Sequence, residues 1–180
     1  MNTVAIVQAR MGSTRLPKKV MKEINSVPMI GLLLNRLSKS KRISEIVLAT
    51  SKEDSNKPLI DYVNSTGIPV ECGSEDNVLE RFYKVAKKYK AEIIVRITGD
   101  CPLVDPKIVD SLIEKFISNN VDYASNVNPP TFPDGMDVEV ISFSSLEKAH
   151  MKSKDKFDLE HVTPFIRRNE KKQFNLSYKE

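Results

Sequence analysis

The chain has 180 residues, of which 40% are hydrophobic and 29% are charged, with a net charge of +4 at pH 7. This length and composition suit one folded domain with a buried core, and they exclude a disordered or fibrous protein. No apolar run is long enough to cross a bilayer, and the N-terminus lacks a basic segment followed by an apolar signal core. We therefore expect a cytoplasmic protein without a membrane partner.

Charge and cysteine content narrow the classes of partner and cofactor. The basic residues are dispersed along the chain, which favours a small phosphorylated ligand over nucleic acid. The two cysteines, Cys72 and Cys101, are far apart and lack the spacing of metal ligands. We expect both to be free, buried thiols in a reducing compartment.

Taken in chain order, short apolar runs typical of strands alternate with segments of helical periodicity. The predicted strands are 3–7, 45–50, 68–72 and 92–97 in the first part, then 123–125 and 138–141. The predicted helices are 28–37, 57–66, 78–89, 106–118, 144–151 and 158–168. Ser55 or Asn56 is expected to cap the second helix and Gly67 to end it, while Asp105 precedes Pro106 in the pattern of a helix start. Pro164 lies near enough to the start of the last helix to be tolerated there.

This alternation predicts a three-layer α/β fold, a mostly parallel sheet with helices on both faces, in a single domain spanning 1–180. Ligands of such sheets bind beyond the carboxyl ends of the strands. The loops that follow the first and fourth predicted strands are therefore the places to search for chemistry.

The loop after the first strand is rich in groups that bind phosphate. Arg10 and Arg15 offer bidentate donors, Ser13 and Thr14 offer hydroxyls, and Lys19 adds a mobile charge. The glycine at position 12 lets the backbone approach an oxyanion closely. The spacing matches neither the Walker loop nor the dinucleotide-binding glycine motif, and a solvated basic turn is the alternative.

The pattern Ala9-Arg10-x-x-Ser13-x-Arg15-x-Pro17-x-Lys19 resembles the N-terminal motif of the sugar-activating cytidylyltransferases, which include the acylneuraminate and 3-deoxy-manno-octulosonate enzymes. The run from position 8 to position 17 is most similar to the branch called spore coat polysaccharide biosynthesis protein F. The resemblance implies a nucleotide-diphospho-sugar transferase-like, Rossmann-related fold.

The same resemblance assigns functions to the loop. In that family the residues equivalent to Arg10, Ser13, Arg15 and Lys19 hold the phosphates of CTP. The loop, including its Ala9 and Gly12, is then the nucleotide-binding segment, with Arg10 and Lys19 in catalytic roles. The implied reaction transfers CMP from CTP to a sugar, a 2-keto sugar acid, for surface polysaccharide.

One carboxylate, that of Asp100, follows the fourth strand, in the run Thr98-Gly99-Asp100-Cys101-Pro102-Leu103. Mg²⁺ takes oxygen ligands and is commonly bound by one or two carboxylates plus substrate phosphates. The family carries a Gly-Asp-x-Pro-Leu element whose aspartate holds the metal, so the resemblance assigns Mg²⁺ to Asp100. It also puts Arg96 and Thr98 where the family reads the base. From the residues alone, a structural Gly-Asp turn is the alternative.

Other segments resemble family elements more weakly. Thr50 and Ser51 resemble the loop that closes over the nucleotide, with a plain turn as the alternative. Asp137 and His161 are candidates for contacting the sugar, against a hairpin turn and a structural histidine. Arg81 is expected either to reach the nucleotide or to pair with Glu80 or Glu75 on the surface.

The C-terminal part departs from the family pattern. Relatives continue for several tens of residues and carry a Val-Asp-Thr-Pro-Glu-Asp-like element, whose first aspartate is the second metal carboxylate; nothing after Arg168 matches it. Asp137 as a substitute ligand, a loosely held metal and a truncated product remain alternatives. An apolar surface left exposed by the missing segment predicts a homodimer. Two rival functions are a glycosyltransferase of related fold, which usually carries an Asp-x-Asp motif, and a non-catalytic nucleotide-binding subunit.

Overall fold

A seven-stranded sheet forms the centre of the computed structural model, which describes residues 1–13 and 15–178. The strands are β1 Thr3–Gln8, β2 Glu23–Ile24, β3 Val27–Pro28, β4 Glu45–Ser51, β5 Val70–Gly73, β6 Ile93–Thr98, β7 Tyr123–Ser125, β8 Glu139–Ser142 and β9 Gln173–Asn175. The order across the large sheet is β5-β4-β1-β6-β8-β7-β9, while β2 and β3 form a separate hairpin. Strands β5, β4, β1 and β6 are parallel, and β8 runs antiparallel to β6 and β7.

Within the described residues, seven α-helices cover the two faces of this sheet. They are α1 Met29–Leu37, α2 Lys57–Ser65, α3 Val78–Lys88, α4 Pro106–Ser118, α5 Phe143–Lys152, α6 Lys156–His161 and α7 Pro164–Asn169. Because successive side chains of a strand point to opposite faces, β1 contributes to two separate cores. Ala5 and Val7 pack in the core that contains α1, α2 and α4, whereas Val4 and Ile6 pack in the core that contains α3, α5 and α7. The predicted three-layer α/β fold is thus confirmed.

Local capping explains several helix boundaries. The Asn77 side chain accepts a hydrogen bond from the backbone N–H of Glu80 at the start of α3, and Asp105 accepts one from Lys107 at the start of α4. Gly67 follows α2 with a positive φ of 81°, as expected for a residue that ends a helix. Asn56 precedes α2 but makes no capping hydrogen bond.

Two sequence predictions need correction, and three short strands were not predicted. The single helix expected over 158–168 is two helices, because Val162 adopts a φ of 69° and Pro164 starts a new helix. Cys72 is exposed, whereas Cys101 is buried and free as expected. The hairpin of β2 and β3 and the edge strand β9 were missed, since strands of two or three residues leave no periodicity to detect.

No helix within residues 1–13 and 15–178 has the length and apolar character needed to span a membrane.

Candidate active site

The loops that follow β1 and β6 begin side by side at one edge of the sheet. In the parallel register of β1 and β6, Gln8 lies opposite Thr98, and the N–H of Gly99 donates to the carbonyl of Gln8 at 2.7 Å. A Cβ on Gly99 would lie 2.6 Å from the Cβ of Ala9. Only glycine allows the two loops to approach this closely, and the approach brings the basic loop next to the aspartate that follows β6.

The Nζ of Lys19 lies 2.6 Å from Oδ2 of Asp100, so the basic loop and this carboxylate face each other across one cleft. The cleft contains a cavity of about 330 Å³. It is lined by Gln8, Ala9, Arg10, Gly12, Ser13, Arg15, Lys19, Val20, Val78, Arg81, Arg96, Thr98, Gly99, Asp100, Glu160 and His161. The structure therefore brings together most of the residues that the sequence assigned to nucleotide and metal binding. Thr14, which was expected to donate a hydroxyl, lies outside the described residues.

The carboxyl of Asp100 has a pKa below its ordinary value. Partial burial raises that pKa. Hydrogen bonds from the side chains of Lys19 and Thr98, together with the charge of Lys19, lower it by more than burial raises it. Asp100 is therefore ionised at neutral pH and remains accessible to solvent. An ionised, accessible carboxylate beside a cationic loop has the chemistry of a cation ligand.

Arg10 is also paired with a carboxylate. Its Nη1 donates to Oε1 of Glu75 at 2.7 Å, which links the loop after β1 to the segment between β5 and α3. Burial raises the pKa of Glu75, but hydrogen bonds from Ser51 and Arg10 and the charges of Arg10 and Arg81 bring it below the ordinary value. In the sequence, Glu75 belongs to a run, 73–81, that resembles a family element near the nucleotide, and its expected partner was Arg81 on the surface. Its contact with Arg10, 65 positions away, was missed because no local pattern indicates it.

Thr50 and Ser51, which were expected to contact the nucleotide, are fully buried and do not line the cavity. Ser51 instead supports the cavity wall from behind. Its hydroxyl accepts from Nδ2 of Asn56 at 2.6 Å, and Oδ1 of Asn56 accepts from the N–H of Met11 at 2.8 Å. Through Asn56, the end of β4 is thus joined to the loop after β1, which makes Ser51 a support of that loop.

Arg81 is buried beneath the cavity rather than paired with a carboxylate on the surface. Its guanidinium donates to the backbone carbonyls of Ser74 and Glu75, and its Nε has no hydrogen-bond partner among the described residues. Burial lowers its pKa, although the nearby charge of Glu75 opposes that change. Of the two positions expected for Arg81, the structure shows the one beside the cavity that the loop after β1 lines.

A second cavity of about 270 Å³ adjoins the first and shares Arg96, Thr98 and His161 with it. It is lined by Arg96, Thr98, Val127, Asp137, Glu139, Phe157, His161, Thr163, Pro164 and Arg167. Both residues expected to contact a sugar, Asp137 and His161, are here. Arg167 was missed, although it lies in the same family-like segment as His161, because an exposed arginine near a helix end usually marks a solvated surface.

Burial raises the pKa of Asp137, and the neighbouring charges of Asp134, Glu139 and Asp100 raise it further, against a lowering by Arg96. The Asp137 carboxylate is therefore electrostatically coupled to that of Asp100. Two different loops thus each contribute a carboxylate, Asp100 to the lining of the first cavity and Asp137 to the lining of the second.

Comparisons with known proteins agree with this geometry. The model of a family described as cytidylyltransferase matches residues 4–179. The chain is 41% identical over 169 residues to an uncharacterized protein of Methanocaldococcus jannaschii, an alignment that covers 94% of this chain and 68% of that protein. It is 36% identical over 167 residues to the spore coat polysaccharide biosynthesis protein SpsF of Bacillus subtilis, covering 90% of this chain and 68% of the relative.

Solved structures give the same result. A cytidylyltransferase from Leptospira borgpetersenii superposes with a TM-score of 0.94 at 34% identity, covering 99% of this chain and 77% of that one. The resemblance seen in the loop after β1 is thereby confirmed over nearly the whole chain. On the match to residues 4–179, the chain belongs to the cytidylyltransferase family.

Proposed function

We propose that this chain transfers CMP from CTP to a 2-keto sugar acid, with release of pyrophosphate, in the synthesis of a surface polysaccharide. The observation that carries the proposal is the cleft in which Lys19 faces Asp100, lined by the cationic loop after β1. Family membership supports the cytidine nucleotide, and the printed name of the Bacillus subtilis relative supports the polysaccharide.

The cationic loop suits a triphosphate. Arg10, Arg15 and Lys19 all line the larger cavity, and Ser13 lies between them on the same wall. Guanidinium groups bind phosphate oxygens bidentately, and cations placed at the leaving pyrophosphate stabilise the charge that develops there. The carboxylates that now accept from Arg10 and Lys19 are exchanged for phosphate oxygens when the nucleotide binds.

The residues present fit a magnesium ion. Mg²⁺ is typically held by one or two protein carboxylates plus substrate phosphates, and within the described residues no group of three or more His, Cys, Asp or Glu side chains forms a complete metal site. Asp100 would hold the ion, which when bound neutralises charge on the nucleotide phosphates. Asp137, whose pKa is raised in part by the charge of Asp100, is the candidate for a second carboxylate ligand of the ion.

The adjoining cavity provides a place for the acceptor. Arg167 and His161 offer donors to a sugar carboxylate, and Asp137 offers an acceptor to sugar hydroxyls. Catalysis then rests on positioning and electrostatics, because the two substrates are held in neighbouring cavities and no covalent nucleophile is required.

The test is pyrophosphate release from CTP in the presence of Mg²⁺ and a panel of 2-keto sugar acids, with UTP and neutral sugars compared in parallel. Wild-type protein is expected to turn over CTP with at least one sugar acid. Asp100→Asn is expected to lower kcat by about 100-fold or more, as for loss of a charge-stabilising group. Asp61→Asn is the matched control, since Asp61 also accepts from a lysine, Lys57 at 2.8 Å, on the exposed face of α2.

Two outcomes would contradict the proposed reaction, and a third would contradict the assignment of the metal ligand. CTP binding without turnover with any acceptor would instead favour a non-catalytic nucleotide-binding protein. Consumption of a nucleotide sugar with release of the nucleotide would favour a glycosyltransferase. Full activity in Asp100→Asn would show that Asp100 is not the metal ligand.

A further inference from the structure

Arg96 stands in the wall that the two cavities share. It lines the larger cavity together with the cationic loop, and it lines the smaller one together with Asp137 and Arg167. If the first cavity holds the nucleotide and the second the acceptor, the new bond must form at this shared wall. A base-reading residue would instead be expected at the far end of the nucleotide cavity, away from the acceptor.

The guanidinium of Arg96 is held rigidly from two sides. Its Nε donates to Oε1 of Gln8 at 3.1 Å, and its Nη1 donates to Oε2 of Glu139. The side chains of Arg96 and Glu139 are only 14% and 6% exposed. Backbone pairing adds to this constraint, because Arg96 lies opposite Ile6 of β1 and opposite Glu139 of β8.

Glu139 is itself fixed by a third group. The hydroxyl of Tyr123 donates to its Oε1 at 2.6 Å, so each carboxylate oxygen has a donor. Burial raises the pKa of Tyr123, and the charge of Glu139 raises it further, so the phenol keeps its proton. Tyr123, Glu139 and Arg96 therefore form a buried chain of hydrogen bonds that ends at the wall between the cavities.

Stabilisation of the sheet does not by itself explain the pairing of Arg96 with Glu139. A buried ion pair adds little to the free energy of unfolding, because the cost of desolvating both groups offsets most of their attraction. A guanidinium has five N–H groups, and the hydrogen bonds of Arg96 within the described residues use two of them. The others are donors for a ligand, held in place before that ligand arrives.

We propose that Arg96 is a catalytic residue that contacts the α-phosphate of the nucleotide during transfer, and that Glu139 is the positioning residue that aims it. The inference rests on the proposed function. The acceptor hydroxyl oxygen bonds to the α-phosphorus while the bond to the bridging oxygen of pyrophosphate breaks. The pyrophosphate keeps that electron pair, and the hydroxyl proton passes to solvent. A guanidinium fixed beside the α-phosphate stabilises the charge on its non-bridging oxygens.

The experiment compares Arg96→Lys, Glu139→Gln and Tyr123→Phe with wild type in CTP affinity by calorimetry, in kcat and in the acceptor KM. Arg96→Lys is expected to lower kcat by about 100-fold, and Glu139→Gln by about tenfold, with the dissociation constant of CTP changed less than about threefold. Tyr123→Phe is expected to give a smaller loss in the same direction. Glu71→Gln is the matched control, since Glu71 also accepts from a cation, Lys88, and a tyrosine, Tyr89, but on the edge strand β5, three strands away from β6.

Phosphorus NMR of bound CTP provides a measurement that needs no turnover and tolerates a partly destabilised variant. Arg96→Lys and Glu139→Gln are expected to move the α-phosphate resonance while leaving the γ-phosphate resonance in place. Unchanged α-phosphate resonances, or tenfold weaker CTP binding with loss of discrimination against UTP and an unchanged kcat, would overturn the inference and assign Arg96 to the base. Failure of wild-type protein to bind CTP at all would overturn the proposed function instead.

Discussion

The ammonium nitrogen of Lys19 lies 2.6 Å from Oδ2 of Asp100, although 81 positions separate the two residues. The contact joins the loop after β1 to the loop after β6, and it lowers the pKa of Asp100 in opposition to the effect of burial. Both side chains remain partly exposed, at 27% and 43%, so each is free to exchange its partner for a nucleotide phosphate or a cation.

Lys19→Met is expected to raise the pKa of Asp100, because the hydrogen bond and the positive charge that lower it are both removed. A depressed folded-state pKa stabilises the fold above the unfolded pKa, and that contribution is lost as pH falls through the folded pKa. The variant should therefore be less stable than wild type at pH 7, by about 0–1 kcal/mol for an exposed pair, and the difference should disappear as pH falls below the folded-state pKa of Asp100. Carboxyl-carbon NMR of Asp100 and denaturant titrations check this. An unchanged Asp100 titration would show that the contact is absent in solution.

Gly99→Ala is expected to destabilise the protein by about 1–3 kcal/mol, the usual range for a forced fit in packed structure. The new Cβ would lie 2.6 Å from the Cβ of Ala9 and 3.0 Å from the carbonyl oxygen of Gln8, so the two loops must separate. Gly12→Ala is the control, since its Cβ would meet only Oε1 of Glu75 at 3.9 Å. Thermal unfolding in the absence of nucleotide measures the difference in stability between the two variants. Equal melting temperatures would mean that the loops are not closely packed.

Asp137→Asn is expected to increase stability at pH 7 in the absence of metal and nucleotide. Because the pKa of Asp137 is raised in the folded state, its contribution to stability is present below the unfolded pKa and lost as pH rises through the folded pKa. Removing the charge should raise Tm by about 1–4 °C at pH 7 and have little effect near pH 3. Asp134→Asn should give a smaller change of the same sign, since its charge contributes to the raised pKa. A lower Tm of Asp137→Asn at pH 7 would contradict this account.

Asp158→Ala is expected to destabilise the protein by about 1–3 kcal/mol, because the buried carboxylate accepts from Nη2 of Arg168 with both oxygens at 2.7 Å. The pair joins α6 to α7, and α6 ends at His161 beside both cavities. Glu114→Ala removes a pair with Arg42 in which both side chains are more than half exposed, and should change stability by about 0.5 kcal/mol or less. Urea titration of both variants checks the difference. Similar losses of stability in the two variants would show that the Asp158–Arg168 pair contributes no more than an exposed ion pair.

Much of the fold could be predicted because its signals are local. The apolar runs at β1, β4 and β6, the helical periodicity of α1 to α4, and the N-cap at Asp105 each occupy neighbouring positions. The break at Val162 could not be foreseen in this way, because a positive φ at a β-branched residue is unfavourable by itself and is accepted only where the surrounding packing compensates. The two-residue strands of the β2–β3 hairpin likewise leave too short a pattern.

For the site, short motifs were enough to predict which loops carry the chemistry, because the cations that follow one strand and the aspartate that follows another each occupy neighbouring positions. The folded structure was needed to show how these groups are paired and aimed: Arg10 with Glu75, Lys19 with Asp100, and Arg96 with Glu139. It also turned Ser51 away from the cavity and placed Arg81 beneath it. The partners in these pairs are 43 to 81 positions apart, so they meet through strand order and register, which no local pattern of residues records.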